Sequence, residues 1–233
     1  MEPEDRPVTE ASYLKRCTAE AIGTALLLAT VVGSGIMGER LSSGNVALAL
    51  LANSLATGAG LSVFILVFGP ISCAHFNPIV TLVAAFTEQL PRKEAAGYLV
   101  SQFLGAFLGV AAAHAMFHAA LWAPSTHARP GFALVLSEAI AAFGLVAVIA
   151  GVSRSRPGAV AFAVGAYILA AYWFTGSTSF ANPAVTMARA FTDSFTGIRL
   201  GDVPGFVAGQ VAGAAAAVVL FRWFNGVLDR RSA

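Results

Sequence analysis

Charge is scarce in this chain. Only 11% of its 233 residues are Asp, Glu, Lys or Arg, and mean hydropathy is +0.74; soluble domains usually carry about 25% charged residues. That excludes an ordinary water-soluble domain and points to an integral membrane protein. The 14 basic and 12 acidic residues leave a formal charge of +2, which speaks against a nucleic-acid partner. Two cysteines, Cys17 and Cys73, cannot build a disulfide scaffold. No ligand-spaced His/Cys/Asp/Glu group, phosphate-cradling loop or nucleophile–base spacing is present in the sequence, so no metal, cofactor or enzymatic activity is expected. Residues 1–16 are polar and lack the apolar core and cleavage site of a secretory signal. They read as part of a cytoplasmic tail.

What the chain does have is apolar runs. Six stretches, 19–37, 45–68, 95–121, 132–151, 158–175 and 203–227, each hold about 18 or more mainly apolar residues, enough to span a bilayer. Gly, Pro and charge mark the breaks between them. With the N-terminus inside, ten Lys/Arg fall on the inner side and four on the outer, Arg40, Arg129, Arg189 and Arg199. By the positive-inside rule both termini are expected in the cytoplasm.

Two further stretches are too short to span. Asn77-Pro78-Ile79-Val80-Thr81 and Asn182-Pro183-Ala184-Val185-Thr186 each begin roughly ten mostly apolar residues. Asn is a good helix N-cap and Pro suits the first helical position. One such pair alone would only start an ordinary helix. Here the tails agree in register as far as Phe86-Thr87 and Phe191-Thr192. About 10 residues reach about 15 Å, half of a hydrocarbon core. The halves repeat elsewhere too: Glu20-Ala21-Ile22 matches Glu138-Ala139-Ile140, and Gln102 with Gly105-Ala106 matches Gln210 with Gly213-Ala214. Three spans per half force the halves into opposite topology. An inverted repeat with an interrupted segment in each half places a site near the midplane, where the two helix tips meet. Their lead-ins, Gly69 to Ala74 and Gly176 to Ser179, are expected to line a pore.

Taken as a set, the paired Asn-Pro motifs, the two span glutamates and the six-plus-two layout resemble the aquaporin and aquaglyceroporin family over nearly the whole chain, about residues 19–227. The resemblance implies an all-α membrane fold of six transmembrane helices and two half-helices in an inverted repeat. Its divisions are a tail at 1–18, a first repeat at 19–122 with half-helix 77–87, an outer connecting loop at 123–131, a second repeat at 132–227 with half-helix 182–192, and a tail at 228–233. It further implies a homotetramer in the plasma (inner) membrane, one pore per subunit, and passive flow of small uncharged solutes. Asn77 and Asn182 would donate to the solute, with Pro78, Ile79, Pro183 and Ala184 completing the midplane. Both half-helix dipoles would repel cations there. Glu20 and Glu138 invite a proton-relay reading, since a carboxylate inside a membrane span is costly. By resemblance they instead brace the loops, as does His75.

Two positions depart from the family pattern. Ile79 stands where Ala is usual, with room to alter how the tips pack. Val185 stands where an outer-constriction Arg is usual. Aligned with it are Thr57, Ala170 and Ser179, all small, so the selectivity filter is expected to be wide and less polar. Arg189, one turn further on, is expected to face the outer mouth or a neighbouring subunit. Cys73 is read as a small buried loop residue rather than a metalloid-touching thiol. A Thr/Val filter without Arg resembles a bacterial branch linked to arsenic resistance, which suggests neutral arsenite and methylated arsenicals as cargo, with glycerol and water passing too. A glycerol, polyol or water facilitator, and a proton-coupled carrier using Glu20 and Glu138, are the alternative readings.

Overall fold

Apolar stretches in lipid must satisfy their own backbone, which leaves the helix as the open-chain solution. In the computed structural model, which describes residues 11–229 and side chains as far as Phe224, six helices are long and apolar enough to cross a membrane. In order they are α1 (Tyr13–Leu41), α2 (Val46–Ser72), α4 (Arg92–Met116), α5 (Phe132–Ser155), α6 (Val160–Phe174), which spans together with the 3-10 turn Pro157–Ala159 before it, and α8 (Val203–Asp229). The short helices α3 (Pro78–Phe86) and α7 (Pro183–Ala188) follow α2 and α6. Among the described residues there is no strand.

Contacts repeat with the sequence. Helix α1 packs on α2 and α4 as α5 packs on α6 and α8, and α2 lies against α6. Small residues allow the close approaches. A Cβ on Gly105 would fall on the Ala21 carbonyl, and one on Gly213 on the Ala139 carbonyl, the equivalent pair of the second half. Each half-helix packs on the last span of both halves, α3 against α4 and α8, α7 against α8 and α4. That crossed packing holds the two tips together at the centre.

Several boundaries differ from the sequence expectation. Residues 13–18, expected in the tail, form the first turns of α1, where Arg16 pairs with Glu94 of α4 at 2.8 Å. Hydropathy misses such a turn because Lys and Arg extend a helix well while reaching for the interface. Residues 1–10, including Arg6, and residues 230–233, including Arg230 and Arg231, lie outside the described residues. The third span stops at Met116 rather than Leu121, just ahead of His118 in the left-handed region. The second half-helix is α-helical only to Ala188 and tightens into a 3-10 turn over Arg189–Phe191. Gly69 to Ser72, expected as loop, is the end of α2, which carries Pro70 within it.

Candidate functional site

Both half-helices begin as their sequences dictate. The Asn77 side-chain oxygen accepts from Ile79 N at 3.0 Å, and that of Asn182 from Ala184 N and Val185 N at 3.0 and 3.2 Å. This cap fixes which end of each amide is the donor. Asn77 Nδ2 donates to the Ala181 carbonyl and Asn182 Nδ2 to the Phe76 carbonyl, each at 2.8 Å. An amide nitrogen has two hydrogens. Each asparagine therefore keeps one N–H, held in direction by two bonds in Asn77 and three in Asn182, beside the cavity that both residues line.

The backbone leading into each tip is unusual, and identically so. Cys73, Ala74 and Phe76 have φ of 66°, 48° and 49°; the equivalent Thr178, Ser179 and Ala181 have 63°, 49° and 46°. Each such non-Gly residue costs about 1–2 kcal/mol. Buried carboxylates offset that cost. Glu20 accepts from His75 N and Phe76 N at 2.9 and 2.7 Å, and also from Ser72 Oγ and Gln102 Nε2. Glu138 accepts from Phe180 N, Ala181 N and Gln210 Nε2. Gln102 also donates to Thr81 and Gln210 to Thr186, so each carboxylate is tied to its half-helix through an amide. Successive N–H groups converge on an anion, a backbone nest. In the sequence the two glutamines mark only the repeat; a Gln in register with each span Glu is the signal that would tie them to the brace.

The cavity has a volume of about 570 Å³. Its walls are helix stripes at four-residue spacing, such as Thr57, Leu61 and Ile65 of α2 and Val164, Ile168 and Tyr172 of α6. One end carries Thr87, Ser153, Arg154 and Arg222; the other reaches Ser179 and Arg189. Cys73 lines it and is exposed, not the buried loop residue expected. Lining begins at Cys73 and at Ser179, later than the expected lead-ins. His75 lines it too, with Nδ1 3.1 Å from Thr81 Oγ1. Pro78, Ile79, Pro183 and Ala184 do not line it. They follow the capping asparagines on helix faces turned into the protein, and Ile79 packs against Ala142, Val146 and Ala214 rather than between the tips.

At the far end the expected filter needs correcting. Thr57, Ser179 and Val185 line the cavity, but Ala170 is exposed on the opposite face of α6. Two residues along a helix turn about 200°, so the wall residues are Ile168 and Tyr172. Tyr172 donates to Thr57 Oγ1 at 3.3 Å. Arg189 does not reach away: it is 2% exposed, lines the cavity, and sets its guanidinium carbon 3.3 Å from the Phe180 ring centroid. A tyrosine and an arginine make this end narrower and more polar than small residues would. The signal was available in Arg189 itself, a cation within a half-helix at membrane depth.

A pore-lining pair of asparagine-capped half-helices in an inverted repeat has relatives. Residues 7–176 match the model of the major intrinsic protein family. The chain belongs to that family. It is 53% identical to aquaglyceroporin AqpS of Rhizobium meliloti (strain 1021), over 92% of this chain and 91% of the relative. It is 31% identical to the probable aquaporin AqpM of Archaeoglobus fulgidus, over 90% and 96%. The X-ray structure of the aquaglyceroporin from Plasmodium falciparum superposes with a TM-score of 0.71 at 22% identity, covering 93% of this chain and 97% of that one, which supports the fold. As a major intrinsic protein the chain is a multi-pass membrane channel working by passive flow, not an enzyme.

Proposed function

We propose that this channel passes water, glycerol and neutral arsenite, with methylated arsenicals as further cargo, through one pore per subunit of a homotetramer in the plasma membrane. The observation that carries the reading is the pair of oriented amide N–H groups, from Asn77 and Asn182, beside a single cavity. Such donors offer a passing hydroxyl one bond at a time, while two half-helix N-termini disfavour cations at the same point. Glycerol and arsenious acid both present three hydroxyls and no charge. The relatives named aquaglyceroporin and aquaporin support water and glycerol. Val185 in place of the usual filter arginine, with the family resemblance it carries, supports the arsenic species. In this reading Thr57, Ser179 and Val185 set the outer selectivity and Glu20, Glu138 and His75 brace the loops. Both termini lie in the cytoplasm, by the Lys/Arg distribution.

A proton-coupled carrier fits less well. Glu20 and Glu138 are fully buried, absent from the cavity wall, and committed to loop amides. Stopped-flow uptake into proteoliposomes, with water, glycerol, arsenite and methylarsenite run in parallel, tests the proposal. Arsenite flux no greater than in protein-free liposomes, beside rapid glycerol flux, would leave a polyol facilitator. Uphill accumulation driven by a pH gradient would leave the carrier.

A further inference from the structure

Arg189 stands out among the buried groups. Its guanidinium lies on the face of Phe180, and its Nε donates to the Thr196 carbonyl. Arg129, from the loop before α5, approaches the same ring, 5.1 Å from the centroid, and is tied by its own donors to the carbonyls of Gly197 and Ser177. Neither arginine forms an ion pair with a carboxylate among the described residues, where the ion pairs are Arg16–Glu94 and Arg199–Asp202. Glu138 is occupied by backbone amides and Gln210. One aromatic ring therefore holds two cations that no carboxylate touches, and one of them forms part of the cavity wall. Ser179 Oγ, on that wall, is buried and has no hydrogen-bond partner. The cavity wall includes Arg189 and Ser179 but no residue of the 192–202 segment.

We propose that Arg189 is a further specificity-determining residue of the outer constriction, beside Thr57, Ser179 and Val185: its stacked guanidinium bars cations and limits solute size, and together with Ser179 Oγ it forms a docking point for a hydroxylated neutral solute. Holding the group by ring face and carbonyl, rather than by a contacting acid, leaves the guanidinium without an ion-pair partner on the path side. The side chain starts one helical turn beyond Val185 and reaches the path from there. A valine in the first turn of α7 is therefore compatible with a pore that excludes ions. The inference rests on the channel reading but not on the choice between glycerol and arsenic species.

The test is flux through proteoliposomes of the full chain, with glycerol as the neutral probe and methylammonium as the cation, corrected for folded protein. Arg189→Met is expected to raise glycerol flux and to admit methylammonium, with a gain of up to roughly 300-fold, the attenuation of two unit charges about 5 Å apart at an effective dielectric near 20. Arg189→Lys, which keeps charge but not the planar stack, is expected to exclude methylammonium still. Val185→Arg in the Arg189→Met background is expected to restore exclusion. If Arg189→Met folds, passes glycerol and still excludes methylammonium as the parent does, the proposal is overturned. Arg189→Gln is the second uncharged variant; failure of both to fold would make Arg189 a residue of the fold and would also overturn it. A parent protein that passes neither water, glycerol nor arsenite refutes the channel reading instead.

Discussion

Replacing Glu20 by Gln changes few atoms and tests both the brace and the transport class. The carboxylate accepts Ser72 Oγ at 2.7 Å and His75 N at 2.9 Å on one oxygen, and Phe76 N at 2.7 Å and Gln102 Nε2 at 2.8 Å on the other. An amide must turn its NH2 to one of these pairs. Toward His75 it meets a backbone donor that cannot become an acceptor, and a serine hydroxyl already accepting from Ala74 N. Toward Gln102 it finds relief, because that side chain can flip and offer Oε1, which has no partner in the native arrangement. The second orientation wins, leaving Phe76 N–H facing another donor. One unmet buried N–H costs about 1–3 kcal/mol. The surviving bonds fall from charge-assisted to neutral strength, roughly half, while loss of the buried charge returns part of its desolvation. With the two charge effects opposing each other, the balance is a loss of roughly 1–3 kcal/mol, that of the unmet donor.

The loss falls on function as well as stability. Phe76 sits at φ 49°, and its carbonyl accepts from Asn182 Nδ2. Freed from Glu20, the peptide relaxes toward ordinary φ and releases the donor it helps orient. Glu20→Gln is therefore expected to melt lower in detergent and to pass less glycerol per folded molecule, with uptake still indifferent to a pH gradient. Glu20→Ala, which leaves all four donors unmet, is expected to accumulate poorly. A Glu20→Gln protein as stable as the parent, with gradient-driven accumulation present in the parent and absent in the variant, would refute the brace and favour proton coupling.

Asn182→Asp is expected to cut neutral-solute flux strongly at normal surface amounts, since a carboxylate has no N–H for the solute or for the Phe76 carbonyl; unchanged flux would take the second motif off the path. Val185→Arg adds a bulky cation beside Arg189 and is expected to reduce methylarsenical uptake more than water flux, with Thr57→Phe acting in the same direction by volume. Gly213→Val is expected to reduce the folded amount severely, because its Cβ meets the Ala139 carbonyl, a backbone atom that cannot turn aside; recovery of normal yields would remove the close α5–α8 crossing. Asp193 accepts from the amide and hydroxyl of Thr126, each at 2.9 Å, and those bonds hold its carboxyl below its ordinary range. A depressed carboxyl keeps its contact at neutral pH and loses it only as pH falls through the lowered value. Amide exchange at Thr126 should therefore stay slow into mild acid and quicken below the ordinary Asp range.

Legibility followed the kind of physics involved. The spans were legible because bilayer thickness sets a length and hydropathy reads it. The half-helices were legible because Asn and Pro act locally: the cap bonds to Ile79 and Ala184 join neighbours in sequence. Glu20 and Glu138 were legible as a pair because the repeat placed them in register, though which donors each accepts from needed the fold. The left-handed triplets were not legible. Cys, Ala and Phe in one loop and Thr, Ser and Ala in the other carry no preference for positive φ. That conformation is imposed by carboxylates more than 30 residues away.

The outer constriction shows a different limit. Alignment to a family pattern transfers positions, but a pore reads side-chain ends. Ala170 failed on helical phase, since 200° of rotation separates it from Tyr172. Arg189 failed on reach, because an arginine spans a full helical turn and can present its charge far from its own Cα. On the Arg189 proposal, Val185 and Arg189 act as one feature: the helix position nearer the tip is apolar, and a cation one turn away lies on Phe180 beside the same cavity. If the site is defined by where charge sits rather than by which residue bears it, substitutions should trade between the two positions. The double variant that moves arginine from 189 to 185 tests that equivalence directly.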